Sequence, residues 1–112
     1  MIIAVSTTGT APDAALEPRF GRAEYFVLYN SGTGEYSSLE NTAVREIAHG
    51  AGPLTAQKVA DAGVRVVITG NGPGGNAARV LQTAGIAVLL YKEGVNATQA
   101  IELYNGGELT EG

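Results

Sequence analysis

Residues 64–90 constrain the fold of this chain more than any other stretch. An apolar, β-branched run at 64–69 is followed by a glycine-rich turn at 70–76, a helical segment at 77–85 and a second apolar run at 86–90. Short apolar runs that end at glycine are typical of buried parallel strands, and the segment between them is long enough for a crossover helix. We therefore predict a strand–helix–strand unit. Its glycine turn lies where open α/β sheets usually bind ligands.

The other segments complete an α/β fold in a single domain over residues 1–107. We predict a first strand at 2–6, an antiparallel hairpin at 25–29 and 35–39, and a helix at 53–62. A last helix begins after Asn96, which can cap it. This order predicts a mixed five-stranded sheet with three parallel strands and an antiparallel hairpin at one edge. We expect residues 108–112 to form a short flexible tail.

Composition and charge exclude several classes of function. The chain has 112 residues and no cysteine, which rules out disulfides and thiolate-ligated metal sites. Its net charge of −4, without a basic stripe, argues against a nucleic-acid partner. Because no apolar stretch approaches the length of a membrane span and the start lacks a basic leader, we expect a cytoplasmic protein with no membrane partner.

The glycine-rich turn is the first candidate binding site. Gly70, Gly72 and Gly75 match the spacing of a dinucleotide fingerprint, but Pro73 fixes one backbone angle there and no second nucleotide-binding half is present. Two other interpretations stay open. In the first, the glycines serve only a tight turn and close packing; in the second, backbone N–H groups at a helix start bind another anion. The candidate residues are Ser6, which ends the first strand, and Gly70, Asn71, Gly72, Gly74, Gly75 and Asn76.

Charged and metal-binding candidates are few. His49 is the single histidine and hence the candidate metal ligand, although a lone histidine is more often a surface or capping residue. One imidazole cannot complete a zinc site, whereas a cluster that brings its own inorganic ligands needs fewer protein donors. Arg19 and Arg22 either cover aromatic surface with their stems, the interpretation we favour, or face an anionic ligand as fixed cations. Arg22 is kept among the candidate binding residues.

Enzymatic motifs are missing from the sequence. There is no Gly-x-Ser-x-Gly elbow, no Walker sequence and no histidine beside an obvious nucleophile. The predicted first strand also carries none of the acids that two-metal nucleases need. We therefore expect no enzyme activity and assign no catalytic residue.

Three segments together resemble the dinitrogenase iron–molybdenum cofactor biosynthesis family of small nitrogenase accessory-like proteins. They are residues 18–26, 49–52 and 63–86, and the resemblance extends over nearly the whole chain. It implies a ribonuclease H-like, three-layer α/β/α fold without nuclease activity. It also implies that the protein binds or carries an iron–molybdenum cofactor or its precursor during cluster assembly. A histidine is linked to the cofactor in that family, which points to His49 here, and cluster-assembly proteins become expected partners.

The leading hypothesis is thus a non-enzymatic binding or carrier protein for an iron–molybdenum or related metal–sulfur cofactor. A bulky anionic cluster suits glycine-lined N–H donors, one imidazole and nearby guanidinium groups. The alternative is a regulatory or scaffold domain that uses the same pocket for a small anion or a partner protein.

Overall fold

A computed structural model of the protein describes residues 1–47, 50–91 and 93–112. A 3-10 turn, Phe20–Arg22, precedes the second strand, and two helices follow the hairpin before strands and helices alternate. The strands are β1 (Ile2–Thr7), β2 (Tyr25–Asn30), β3 (Glu35–Glu40), β4 (Val64–Thr69), β5 (Ala87–Leu90) and β6 (Thr110–Glu111). The helices are α1 (Thr42–Arg45), α2 (Ala51–Asp61), α3 (Gly75–Thr83) and α4 (Ala97–Asn105).

The strands form one mixed sheet in the order β3-β2-β1-β4-β5-β6. As predicted, β1, β4 and β5 are parallel, and β2 and β3 form an antiparallel hairpin at one edge. The predicted count of five strands is wrong, because β6 adds a sixth, antiparallel to β5. Its pairing is extended by the Gly112 N–H, which donates to the Val88 carbonyl at 3.0 Å. The segment expected to be a flexible tail therefore contains a strand that covers the outer edge of β5.

Helices cover both faces of the sheet, which confirms the three-layer α/β/α, ribonuclease H-like architecture. Alternation along β1 divides the core: Ala4 belongs to the cluster that packs against α2 and α3, whereas Ile3 and Val5 belong to the cluster around α4. Because successive residues of a strand point to opposite faces, the apolar run of β1 fills both layers. Within the described residues, no helix is both long and apolar enough to cross a lipid bilayer.

The observed helix starts differ from the predicted ones, and this difference changes the role of the glycine-rich segments. We predict α2 from residue 53 and α3 from residue 77, but both begin two residues earlier, at Ala51 and Gly75. Gly50 makes the earlier start of α2 possible, since its φ of +80° lies in the left-handed region that favours glycine. The glycine-rich segments thus form the amino-terminal ends of two helices.

The predicted cap of α4 is confirmed. The Gln99 N–H donates to Asn96 Oδ1 at 2.8 Å, and the Asn96 N–H donates to Gln99 Oε1 at 2.9 Å. This reciprocal pair is a capping box. It fixes the start of the helix that covers the second face of the sheet.

Candidate functional site

A cleft of about 330 Å³ lies where the starts of α2 and α3 meet the 3-10 turn Phe20–Arg22. Three separate segments of the chain form its walls, at 19–22, at 50–52 and at 71–74 together with Ala77. The lining residues are Arg19, Phe20, Gly21, Arg22, Gly50, Ala51, Gly52, Asn71, Gly72, Pro73, Gly74 and Ala77.

Small residues let the three segments approach each other at backbone distance. A Cβ atom placed on Gly21 would lie 3.1 Å from both Cα and N of Gly52, and one on Gly52 would lie 3.3 Å from the Ala77 Cβ. Contacts this short leave no room for a larger side chain between the 3-10 turn and α2. The narrow end of the cleft is therefore defined by main-chain packing.

Other glycines of the turn leave space empty. A Cβ atom on Gly72 or Gly74 would meet no heavy atom within 4 Å, and neither residue has a positive φ. Their lack of a side chain is thus required neither by backbone conformation nor by packing. The surface that they present to the cleft is bare backbone, which a bulky ligand can approach closely.

The helix starts give the cleft a positive electrostatic character. The first turns of α2 and α3 have N–H groups without intrahelical acceptors, and neither helix has a side-chain cap. The helix dipoles place partial positive charge at the same ends. Two helices that begin at one cleft therefore favour an anion there.

Two arginines add full positive charges to the cleft lining. The Arg19 side chain is 64% exposed, and its guanidinium lies 3.2 Å from the Glu17 carboxylate. Arg22 Nη1 donates to the Ile47 carbonyl at 2.9 Å, which ties the 3-10 turn to the loop after α1. The described lining residues include these two cations and no carboxylate. Glu17, which does not line the cleft, partly neutralises the charge of Arg19.

Tyr91 follows β5 and lies behind the turn. Burial raises the pKa of its hydroxyl above the ordinary tyrosine value, and the negative charges of Glu17 and Glu93 raise that pKa further. A Cβ atom on Gly70 would lie 2.8 Å from the Tyr91 hydroxyl and from the Pro18 Cα. Gly70 is therefore a packing glycine and does not line the cleft.

The structure brings together only part of the predicted site. Arg22, Asn71, Gly72 and Gly74 line the cleft. Gly75 and Asn76 lie in the first turn of α3 beside it and do not line it.

Two predicted residues lie elsewhere. Ser6 is fully buried and does not line the cleft, and its hydroxyl contacts the Glu17 carbonyl and the Thr69 hydroxyl. His49 lies outside the described residues, although Gly50, the next residue in sequence, lines the cleft. Among the residues that the structure describes, no group of three or more histidine, aspartate or glutamate side chains could hold a metal ion.

Sequence reasoning missed the residues that close the cleft. Gly21, Gly52 and Ala77 were not among the candidates, because their role depends on contacts between segments far apart in sequence. For Arg19 the favoured interpretation is a stem that covers aromatic surface, whereas the structure places Arg19 in the cleft lining. The one local signal for this wall is the pair of arginines that flank Phe20 and Gly21.

Comparison with known proteins gives consistent matches over nearly the whole chain. The model of a family described as dinitrogenase iron-molybdenum cofactor matches residues 1–107. The apo form of the orange protein from Desulfovibrio gigas is 36% identical, with a TM-score of 0.93 over 99% of this chain and 92% of that one. An NMR structure of a candidate NifB protein of the DUF35 family from Thermotoga is 34% identical, with a TM-score of 0.85 over 98% of this chain and 91% of that one. No curated protein sequence matches.

Proposed function

This chain belongs to the dinitrogenase iron-molybdenum cofactor family, and from that premise we propose that it is a non-enzymatic binding or carrier protein for an iron–molybdenum or related metal–sulfur cofactor, or its precursor. The cleft between the starts of α2 and α3 is the proposed site. The observation that carries the proposal is the convergence of two uncapped helix starts and two arginines on a surface of bare glycine backbone.

The donor groups of this cleft suit a preassembled cluster better than a bare metal ion. A structural metal ion needs several side-chain ligands, and the described residues offer no such group. A metal–sulfur cluster brings its own sulfide ligands, which accept hydrogen bonds from backbone N–H groups and guanidinium groups. The chain has no cysteine to form thiolate bonds, so we propose that the cluster is cargo held by hydrogen bonds and charge, with His49 as the one candidate side-chain ligand.

The size of the cleft and its local charge are compatible with a small anionic cluster. A volume of about 330 Å³ is at the lower end of the range for small-ligand pockets, roughly 300–1,000 Å³. The protein as a whole carries a net charge of −4, which repels anions at long range. Local N–H groups and guanidinium groups act within a Debye length of about 8–10 Å, so they can outweigh that repulsion for an anion already in the cleft. Cluster-assembly proteins are the proposed partners for delivery and release.

The test uses two variants that differ only in charge. Gly74 caps α3 with φ of −64° and ψ of 168°, a conformation suited to aspartate or asparagine at an N-cap. Gly74→Asp places a carboxylate at the helix start, where it competes with an anionic cluster, whereas Gly74→Asn has the same size and no charge. Each protein is incubated anaerobically with isolated iron–molybdenum cofactor and freed of excess, and bound metal and visible absorption are measured.

We expect the wild-type protein to gain iron, molybdenum and visible absorption, Gly74→Asp to gain little of either, and Gly74→Asn to lose much less. A wild-type protein that gains no metal refutes the carrier function. Equal loading of wild type and Gly74→Asp refutes the cleft as its site. His49→Ala, measured in the same way, shows whether the imidazole contributes to binding.

The alternative function, a regulatory or scaffold domain for a small anion, uses the same N–H and guanidinium donors. It predicts that inorganic phosphate binds to the cleft and that isolated cofactor does not. Isothermal titration with each compound distinguishes the two functions.

A further inference from the structure

We infer that the buried hydroxyl groups of Ser6 and Thr69 are positioning groups that hold the arginine-bearing wall of the cleft, residues 17–22, against the glycine turn, residues 70–74. This inference concerns the geometry of the cleft, and only its consequence for cargo binding rests on the proposed function. Neither residue lines the cleft. Both act through the backbone of Glu17 and Pro18.

The two hydroxyls meet at the ends of neighbouring parallel strands. Ser6 lies near the end of β1 and Thr69 ends β4, and the strands are in register at Val5 and Ile68. Both residues are fully buried, and their side-chain oxygens are 2.9 Å apart. A buried hydroxyl costs free energy unless it is hydrogen-bonded, so this pair requires further acceptors.

Those acceptors are main-chain carbonyls of the arginine-bearing wall. The Ser6 hydroxyl donates to the Glu17 carbonyl at 2.7 Å, and the Thr69 hydroxyl donates to the Pro18 carbonyl at 3.2 Å. No buried side-chain nitrogen or oxygen of the described residues is left without a partner. The strand ends therefore hold two successive peptide groups of the loop.

Backbone contacts complete the attachment on both sides. The Glu17 N–H donates to the Ser6 carbonyl at 2.9 Å, and the Asn71 N–H donates to the Pro18 carbonyl at 2.8 Å. Pro18 thus accepts hydrogen bonds from Thr69 and from the glycine turn at once. A Cβ atom on Gly70 would lie 2.8 Å from the Pro18 Cα, so the backbones of the arginine-bearing wall and the glycine turn are in direct contact there.

The position of Glu17 and Pro18 determines where the positive charge of Arg19 lies. The Glu17 carboxylate accepts from the Arg19 backbone N–H at 2.9 Å and contacts the guanidinium at 3.2 Å. The Arg22 N–H donates to the Arg19 carbonyl at 3.2 Å, which continues the attachment through the 3-10 turn. Loss of the hydroxyl pair should let this wall move away from the helix starts, and the cleft should then bind an anion less tightly.

The test compares variants that keep or remove one hydroxyl. Thr69→Val keeps the shape and loses the hydroxyl, Thr69→Ser keeps the hydroxyl, and Ser6→Ala removes the other member of the pair. Amide hydrogen exchange is measured at Asn71 and Glu17, and cofactor binding is measured with isolated iron–molybdenum cofactor. We expect about tenfold faster exchange at Asn71 and about tenfold weaker binding in Thr69→Val, the effect of losing about one buried hydrogen bond, with both restored in Thr69→Ser.

Hydrogen exchange in these variants tests whether the two hydroxyls hold the arginine-bearing wall. Unchanged exchange at Asn71 and Glu17 in a folded Thr69→Val or Ser6→Ala protein overturns it, and so does a Thr69→Ser protein as impaired as Thr69→Val. If Thr69→Val does not fold, Ser6→Ala with exchange at Glu17 gives the same decision. A wild-type protein that binds no cofactor refutes the proposed function alone, because the exchange measurement does not depend on any ligand.

Discussion

Single glycines that line the cleft or lie next to it have two different physical roles. Gly21, Gly52 and Gly70 are positions where a Cβ atom would meet neighbouring atoms at 2.8–3.3 Å, so packing requires glycine there. Gly72 and Gly74 have open space around them and could carry a side chain without a clash of its Cβ. The first group builds the cleft, and the second keeps its surface bare.

Gly21→Ala should destabilise the protein by about 1–3 kcal/mol, because the new methyl group meets the Gly52 backbone at 3.1 Å and the two segments must separate. Urea denaturation measures the loss. Gly9→Ala is the matched control, since its Cβ would meet the Ala14 Cβ at an ordinary 3.7 Å. Equal stability of the two variants would show that the contact at Gly21 relaxes without cost.

Tyr91 should make stability depend on pH in the alkaline range. Burial, and then the charges of Glu17 and Glu93, raise the pKa of its hydroxyl, so the folded state favours the neutral form. This contribution is fully present below the ordinary tyrosine pKa of about 10 and is lost as the pH rises through the higher folded value. We expect Tyr91→Phe to lose less stability than wild type between about pH 9 and 11, measured by urea denaturation. Parallel pH profiles would contradict this.

At the scale of elements, one buried side chain connects the cleft to the hairpin. Asn41 follows β3 and is fully buried. Its Nδ2 group donates to the Ala23 carbonyl at 2.9 Å and contacts the Thr55 hydroxyl of α2 at 3.1 Å. Asn41 thus holds together the residue after the 3-10 turn and the first half of α2, which directly follow two of the segments that line the cleft.

Asn41→Ala should cost about 1–3 kcal/mol, because the Ala23 carbonyl and the Thr55 hydroxyl then lose a partner in a buried site. Thermal or urea denaturation measures the change. Asn105→Ala, at the exposed end of α4, is the control and should change stability by less than about 0.5 kcal/mol. A loss no larger in Asn41→Ala than in this control would mean that water replaces the missing amide.

At the scale of the whole molecule, the outer edge of the sheet depends on the last residues of the chain. The short β6 pairs with Leu89 and Leu90, and Leu109 packs against the core on the side of α4. An uncovered edge strand exposes backbone groups that can pair with another chain. We therefore expect the covering of β5 by β6 to reduce association and to add stability.

Removal of residues 108–112 should lower the free energy of unfolding by about 1–2 kcal/mol and increase association of the protein, because β5 loses its neighbour. Urea denaturation and size-exclusion chromatography measure the two effects. The double substitution T110A/E111A keeps the backbone pairing and should behave almost as wild type. A truncated protein that is as stable as wild type and elutes at the same apparent size would show that β6 contributes nothing to either property.

The sequence alone determined the order of strands and helices and the α/β class of this protein. Apolar runs at 2–6, 64–69 and 86–90 and the cap at Asn96 are local signals, and each specifies a strand or a helix start from neighbouring residues. Resemblance to a family, carried by short motifs, pointed to the cofactor class. The glycine turn is also predictable, because glycine and proline affect the backbone conformation at their own positions.

Only the tertiary structure decided which residues form the cleft and what holds it together. The contact of Gly21 with Gly52 and the hydroxyl pair of Ser6 and Thr69 join residues 31 and 63 positions apart, and no local pattern encodes such distances. The sixth strand was missed for the same reason, since Thr110 and Glu111 have no apolar signal and become a strand only because the edge of β5 is free. Packing and strand pairing between residues far apart in sequence therefore determine the cleft and the sixth strand, which the sequence pattern does not predict.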